Sequence, residues 1–292
     1  MDLWQRVNEW YAQNARPLPW REPGFSAWGT LVSEFMLQQT PVTRVIPRLA
    51  EWLERWPTPA HLAADPASEA VRAWHSLGYP RRALWLHRAA TTITEKHGGV
   101  VPREVEALLA LTGVGDYTAR AVAVFAYGER HPVVDTNTRR VIARAVRGQG
   151  EAGPPQAAAD LRAMSELMPT ETLAAATFNA GIMELGAIVC TARSPRCGDC
   201  PLAEICAWRG SNYPEYLGPK KAVQKKYEGS DRQVRGLILA AAREATGPVT
   251  DAEITPLWPD STQRDRALSS LVRDGLLVVS TEPTPGYILN HE

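Results

Sequence analysis

Apolar positions recur at three- and four-residue spacing through most of the first 190 residues, the period of helices with one buried face. The pattern predicts helices over 2–13, 27–39, 42–56, 59–64, 67–74 and 81–96, and again over 137–147, 155–168 and 171–189. Between the first two, Arg16-Pro17-Leu18-Pro19-Trp20-Arg21 is an irregular segment held by prolines, and Pro41 stops the second helix. Residues 108–140 break the run differently. An apolar helix end leads into Thr112-Gly113-Val114-Gly115, a further helix, a short Val133-Val134 run, and then Asp135 opening the next helix.

The periodicity fades over 210–229, which is rich in Gly, Pro, Tyr and Lys and is predicted to be a linker. Its Lys220, Lys221, Lys225 and Lys226 would either follow a phosphate backbone or be merely solvated. From Ser230 on, helices over 232–244, 250–257 and 261–274 precede Leu276–Val279 and Tyr287–Leu289, strands joined by a turn containing Pro285-Gly286. Three helices followed by a two-stranded hairpin read as a winged-helix-like domain. Its third helix carries three arginines but also aspartates, so reading DNA and contacting protein are equally open roles.

A chain of 292 residues with 45% hydrophobic and 22% charged residues is an ordinary globular composition with length for about two domains. Net charge is zero; from Ser230 to the end, six Lys/Arg face nine Asp/Glu, which leaves the preceding part about three positive charges in excess. Any nucleic-acid binding must therefore come from local clustering. No stretch approaches the roughly 18 apolar residues of a membrane span, and the N-terminus has no signal-peptide core, so the expected location is cytoplasmic.

Five features carry chemistry. Gly113, Val114 and Gly115 form a turn that can aim backbone N–H groups at a phosphate where a helix begins. Asp135 stands where a helix dipole favours negative charge. Glu34 has Thr30, Leu31, Leu37 and Gln38 at contact spacing on its helix; it is either a solvated surface Glu or a desolvated carboxyl suited to donate a proton. Tyr79, followed by Arg81 and Arg82, would stack on a base and touch phosphates, or simply shape a turn. The four cysteines, Cys190-x6-Cys197-x2-Cys200-x5-Cys206, suit zinc or an iron-sulfur cluster, and one close pair flanked by single cysteines favours the cluster.

The cysteine loop, LTGVGDYTA and VVDTN together resemble the helix-hairpin-helix, endonuclease III-like, base-excision DNA glycosylases. Within them, LPWREP, SEFMLQQTPV, LGYPRRA and FNAGIMELGAIVC resemble the branch that excises adenine. The resemblance covers residues 1–209. It implies a mainly all-α fold of two helical lobes with a 4Fe-4S cluster held at 190–206, followed here by the linker at 210–229 and the winged-helix-like piece at 230–292. It assigns Glu34 the catalytic acid, Asp135 the carboxylate facing the sugar cation and Asn137 its polar companion. Gln38, Gln39 and Thr40 would lie beside the lesion pair, Leu77 and Tyr79 would wedge next to the opposite base, and Trp20, Arg21 and Glu184 would line the adenine pocket. Position 117 is a tyrosine where lyase-competent relatives carry a Schiff-base lysine, which implies a monofunctional enzyme. The implied partner is double-stranded DNA containing adenine opposite 8-oxoguanine or guanine, met by a monomer in the nucleoid. Many members carry a Nudix-like C-terminal domain, for which the tail here reads as a winged helix instead. Excision of mismatched thymine or of a damaged pyrimidine stays open, as does a non-catalytic iron-sulfur DNA-binding regulator.

Overall fold

The computed structural model describes residues 1–219, 226–281 and 284–292. Lys220, Lys221 and Lys225 of the predicted linker lie outside the described residues. In chain order the helices are α1 (Leu3–Asn14), α2 (Ala27–Leu37), α3 (Val42–Arg55), α4 (Pro59–Ala64), α5 (Ala67–Ala73), α6 (Arg81–Lys96), α7 (Val105–Leu109), α8 (Asp116–Tyr127), α9 (Thr136–Ala145), α10 (Ala157–Leu167), α11 (Thr172–Ile188), α12 (Ala207–Gly210), α13 (Asp231–Glu244), α14 (Asp251–Ile254) and α15 (Ser261–Arg273). The fold is mainly α-helical, as the periodicity predicts. β1 (Leu277–Ser280) and β2 (Gly286–Leu289) pair antiparallel, with Leu277 opposite Leu289, and Val249 adds a bridge to Tyr287. Among the described residues no helix is long and apolar enough to cross a membrane.

The chain forms two compact units. The first comprises the described residues of Met1–Thr30, Arg103–Leu109 and Val114–Ala222. Its core gathers Val7 of α1, Val141 and Ile142 of α9, Met164 of α10, and Phe178, Ile182 and Leu185 of α11, with Leu202 and the partly buried Cys190, Cys200 and Cys206 packed on the same cluster. The second comprises the described residues of Leu31–Pro102, Ala110–Gly113 and Val223–Glu292. There α4 and α5 pack on α6, and Trp52, Trp56 and Trp74 meet edge to face with centroids 4.6 and 5.6 Å apart, a favoured aromatic geometry. The tail from α13 onward belongs to this second unit.

Candidate active site

In the first unit the site is built on the start of α9. Val133 is buried and donates its N–H to Oδ1 of the buried Asn179, which fixes the approach to Asp135. Asp135 is the N-cap, accepting the Thr138 N–H at Oδ1 (2.7 Å) and Asn137 Nδ2 at Oδ2 (2.7 Å). Asn137 Oδ1 in turn accepts Arg140 Nη2 at 2.7 Å. The same guanidinium donates to the Gly186 carbonyl (2.6 Å) and the Cys190 carbonyl (2.7 Å), and burial pulls its pKa down. A continuous chain of hydrogen bonds therefore links the cysteine loop to the Asp135 carboxylate. At the crossing of α9 and α11 a Cβ on Gly186 would lie 2.7 Å from Asn137 Cβ and 2.8 Å from its carbonyl oxygen, so only glycine lets the two helices close there.

Glu184, two residues earlier on α11, is 1% exposed. Arg16 grips it with Nε on Oε1 (2.6 Å) and Nη2 on Oε2 (2.7 Å), and Arg21 Nη2 adds a third bond at 2.9 Å. Burial alone would push this carboxyl up, but the arginine hydrogen bonds outweigh it and hold it at about 2. The prolines flanking Leu18 make this possible, since they fold Pro19–Arg21 into a 3-10 turn that presents Arg21, whose guanidinium also lies 5.3 Å over the Tyr11 ring. Trp20 occupies the same turn, half-buried. Tyr117, in the first turn of α8, packs on the small apolar cluster of Ala121, Val124 and Val133, two residues before Asp135.

All four cysteines line one cavity, together with Arg144 and Trp208. Burial pushes the Cys190 thiol up and the Cys200 thiol to about 11, so holding these two as thiolates calls for a bound cation. Arg144, 4% exposed, donates to Cys190 Sγ at 3.5 Å and to the carbonyls of Gly150 (2.9 Å) and Thr191 (2.7 Å), and it stacks 4.6 Å over Trp208. A thiolate set with an N–H donor at one sulfur fits an iron-sulfur cluster.

In the second unit Glu34 is 7% exposed on α2, flanked by the buried Leu31, Ser33 and Phe35. Of the two alternatives for this residue, the structure selects the buried one. Helix α2 ends at Leu37 and not at Gln39 because Arg82 removes its carbonyls. The Arg82 guanidinium donates to Phe35 O (2.6 Å), Met36 O (3.2 Å), Gln38 O (2.7 Å), Thr40 Oγ1 (3.2 Å) and Gly78 O (3.0 Å). Thr40 Oγ1 donates to the Leu77 carbonyl (3.1 Å) and Tyr79 OH to Gln39 Oε1 (2.6 Å). Gln38, Gln39, Thr40, Leu77 and Tyr79 are thus gathered into one double loop. Its backbone is strained, with Gln39, His75 and Tyr79 in the left-handed region at φ 57, 45 and 48°. Within it Tyr79 is exposed, whereas Leu77 is buried beneath the loop. The expectation that Arg82 touches phosphates is corrected: at 3% exposure it works inward, and burial lowers its pKa to about 10.

The turn joining α7 and α8 divides its labour. Gly113 has φ 81°, and a Cβ there would meet Trp85 Cβ at 2.7 Å. Gly115, the residue before α8, faces open space, and the buried Val114 pins the turn between them. Open backbone at the start of a twelve-residue helix is suited to an anion.

Residues 32–166 match the HhH-GPD superfamily of base excision DNA repair proteins, and residues 190–206 match the iron-sulfur binding domain of endonuclease III. The chain is 54% identical over 269 residues to an adenine DNA glycosylase of Mycobacterium tuberculosis (strain H37Rv), covering 92% of this chain and 88% of that protein. It belongs to the HhH-GPD base-excision repair superfamily. All four cysteines fall within the stretch matched to that iron-sulfur binding domain, Cys190 and Cys206 at its two ends. A thymine/uracil-DNA glycosylase of Pyrobaculum aerophilum is 34% identical over 206 residues, 69% of this chain and 89% of that one. The solved structure of a thermostable thymine-DNA glycosylase superposes with a TM-score of 0.65 at 27% identity, covering 71% of this chain and 95% of that chain.

Sequence reasoning missed Arg16, Arg140 and Arg144. The last two were legible in principle, because Arg140 and Arg144 follow Asn137 at helical spacings of three and seven and so share its face.

Proposed function

We propose that the protein is a monofunctional adenine DNA glycosylase of base-excision repair, hydrolysing the N-glycosidic bond of adenine opposite 8-oxoguanine or guanine and leaving an abasic site. The observation that carries this is the 54% identity to an adenine DNA glycosylase over 92% of the chain, a span that includes most of the tail. Glu34 donates a proton to the departing base, for which a desolvated carboxyl is suited. The sugar left behind has oxocarbenium character, and Asp135, with one hydrogen bond fixing each oxygen, presents a preorganised negative charge to it before water adds. Tyr117 walls the site. Trp20, Arg21 and Glu184 shape the base pocket, Glu184 by orienting its two arginines. Gln38, Gln39 and Thr40 meet the mispair and Tyr79, backed by Leu77, fills the stack once the adenine is extruded. The Gly113–Gly115 turn holds a phosphate. Cys190, Cys197, Cys200 and Cys206 would hold the iron-sulfur cluster, and the loop so ordered offers the Cys190 carbonyl that anchors Arg140 of α9 against Asn137. The enzyme acts as a monomer on double-stranded DNA in the compartment that holds the chromosome.

Excision of mismatched thymine is the second reading, favoured by the 34% identity to a thymine/uracil-DNA glycosylase. That similarity spans 69% of the chain, against 92% for the adenine enzyme. Single-turnover assays on duplexes differing only in the pair (A opposite 8-oxoguanine, A opposite G, T opposite G) decide between them, with Glu34→Gln as control. Adenine release abolished by Glu34→Gln is expected. Thymine release without adenine release would establish the second reading, and no release from any duplex would make the protein a non-catalytic DNA binder.

A further inference from the structure

The tail's third helix, α15, is where a winged-helix domain would read DNA, yet two of its three arginines are turned to other work, and the third, Arg273, is exposed. Arg266 binds Asp231 through two bonds of 2.7 Å, and Gln263 Nε2 adds a third at 3.0 Å, which together hold Asp231 well below the usual carboxylate range. Arg264 donates to the Trp258 carbonyl. Several polar contacts of the tail with the rest of its unit fall on residues 67–81.

Three attachments are involved. At the start of α5, the Ala67 N–H donates to the His291 carbonyl (3.2 Å), and Ser68 Oγ meets His291 Nδ1 (2.9 Å). At its end, Arg243 Nε donates to the Val71 carbonyl (2.9 Å), while Arg72 donates to the carbonyls of Arg243 and Ala245, the latter at 3.1 Å. The two helices thus exchange arginines, each capping the other's carbonyl end, where a cation also meets the negative pole of the dipole. At the start of α6, Arg81 Nη1 reaches Asp274 Oδ1 (3.4 Å), and Asp274 Oδ2 accepts Arg235 Nη2 (2.6 Å). Between the second and third attachments lies the segment with left-handed His75, Gly78 and Tyr79. A strained loop keeps its shape only where its surroundings over-determine it, and here both of its flanks are bolted to the tail.

We propose that the tail is a positioning module for the excision reaction: it clamps α5 and the start of α6 so that the Leu77–Tyr79 loop is held in its DNA-ready shape, and it does not read DNA through α15. The proposal rests on the assignment of Tyr79 to the base stack opposite the excised adenine.

The test uses the full chain. Asp274→Asn combined with His291→Ala weakens the third attachment and the side-chain part of the first, at partly exposed and exposed positions, and leaves the partly buried Arg243 in place. Amide hydrogen exchange at residues 75–79 is expected to rise about tenfold, with α3 amides unchanged, as for local opening. At saturating enzyme the single-turnover excision rate is expected to fall about three- to tenfold with DNA affinity within about twofold, the size expected from losing one or two partly exposed charged contacts. Arg264→Ala with Arg273→Ala is expected to leave affinity within about twofold, since losing a true phosphate contact weakens binding and flattens its salt dependence. Unchanged exchange at 75–79 would overturn the clamp, as would raised exchange with unaltered excision. A large affinity loss in the Arg264/Arg273 variant would assign DNA reading to α15 and overturn the proposal. Tyr79→Ala, assayed alongside, separates the two layers: if it excises at the full rate, the assignment of Tyr79 fails, while the exchange measurement still reports on the clamp.

Discussion

Arg140 Nε donates to the backbone carbonyl of Cys190 at 2.7 Å, and through its other arm the same side chain supports Asn137 and hence Asp135. Lysine at 140 keeps the charge but cannot span both partners, because it lacks the planar fork. Arg140→Lys is expected to slow single-turnover excision by about ten- to a hundredfold, the equivalent of losing roughly 1.5–3 kcal/mol of charged hydrogen bonding. The visible absorbance of the bound cluster should persist. Removing the cluster itself should loosen residues 190–206 and lower excision in parallel, read by absorbance and base release in the same samples.

Glu184 gives a signed pH prediction. Its carboxyl sits at about 2 in the folded chain against about 4.3 when unfolded, so its contribution to stability is complete above about pH 5 and drains away as pH falls toward 2. Glu184→Gln leaves Arg16 and Arg21 facing a neutral amide and should cost about 1.5–3 kcal/mol at neutral pH. Denaturant midpoints measured from pH 7 down to pH 2 should show the variant flatter than the native chain across the lower part of that range.

Gly186→Ala tests the helix crossing. With a Cβ forced to within 2.7 Å of Asn137, α9 and α11 must separate, at a cost of about 1–3 kcal/mol for an overpacked contact. Melting temperature reports the cost. The excision rate should fall further than stability alone explains, because the displaced group is Asn137, which holds Asp135.

Hydrolysis without a Schiff base has a compositional signature. Lysine occurs at 96 and at four positions within 220–226, and the hairpin carries Tyr117 where an amine would be needed. Borohydride treatment during turnover should trap no protein-DNA adduct, as seen by gel mobility, and abasic product should accumulate unbroken. A trapped adduct mapping to any of these lysines would overturn the monofunctional assignment.

Most of the helices were legible because their apolar period is strong and their stops are covalent facts: Pro41 after α2, or Asp135 capping α9. What escaped was set by partners distant in sequence. Helix α2 loses its last two expected residues to Arg82, more than forty residues later, and the tail's second helix is α-helical only over Asp251–Ile254 before tightening into a 3-10 turn at Thr255–Leu257. The cysteine loop, Glu34 and Asp135 could be picked out from motifs, whereas Arg140 and Arg144 are marked only by sharing a helix face with Asn137, because an arginine bonded to carbonyls otherwise looks in sequence like any surface charge. Nor does local pattern reveal that the tail forms one compact unit with residues 31–102, since Arg72 and Arg243 lie 171 residues apart.

Inward-turned arginine has a consequence for how this protein meets its substrate. Arg82, Arg139 and Arg144 are buried, and Arg16, Arg21 and Arg140 are engaged with a carboxylate or with carbonyls, so part of the cationic inventory is internal scaffolding. In a chain of zero net charge, the field reaching solvent is weaker than the number of arginines suggests. Each phosphate neutralised steepens the logarithmic salt dependence of binding by about 0.9. This protein should therefore bind intact duplex with a shallow salt dependence and short dwell times, and owe its residence at a mispair to shape rather than to charge.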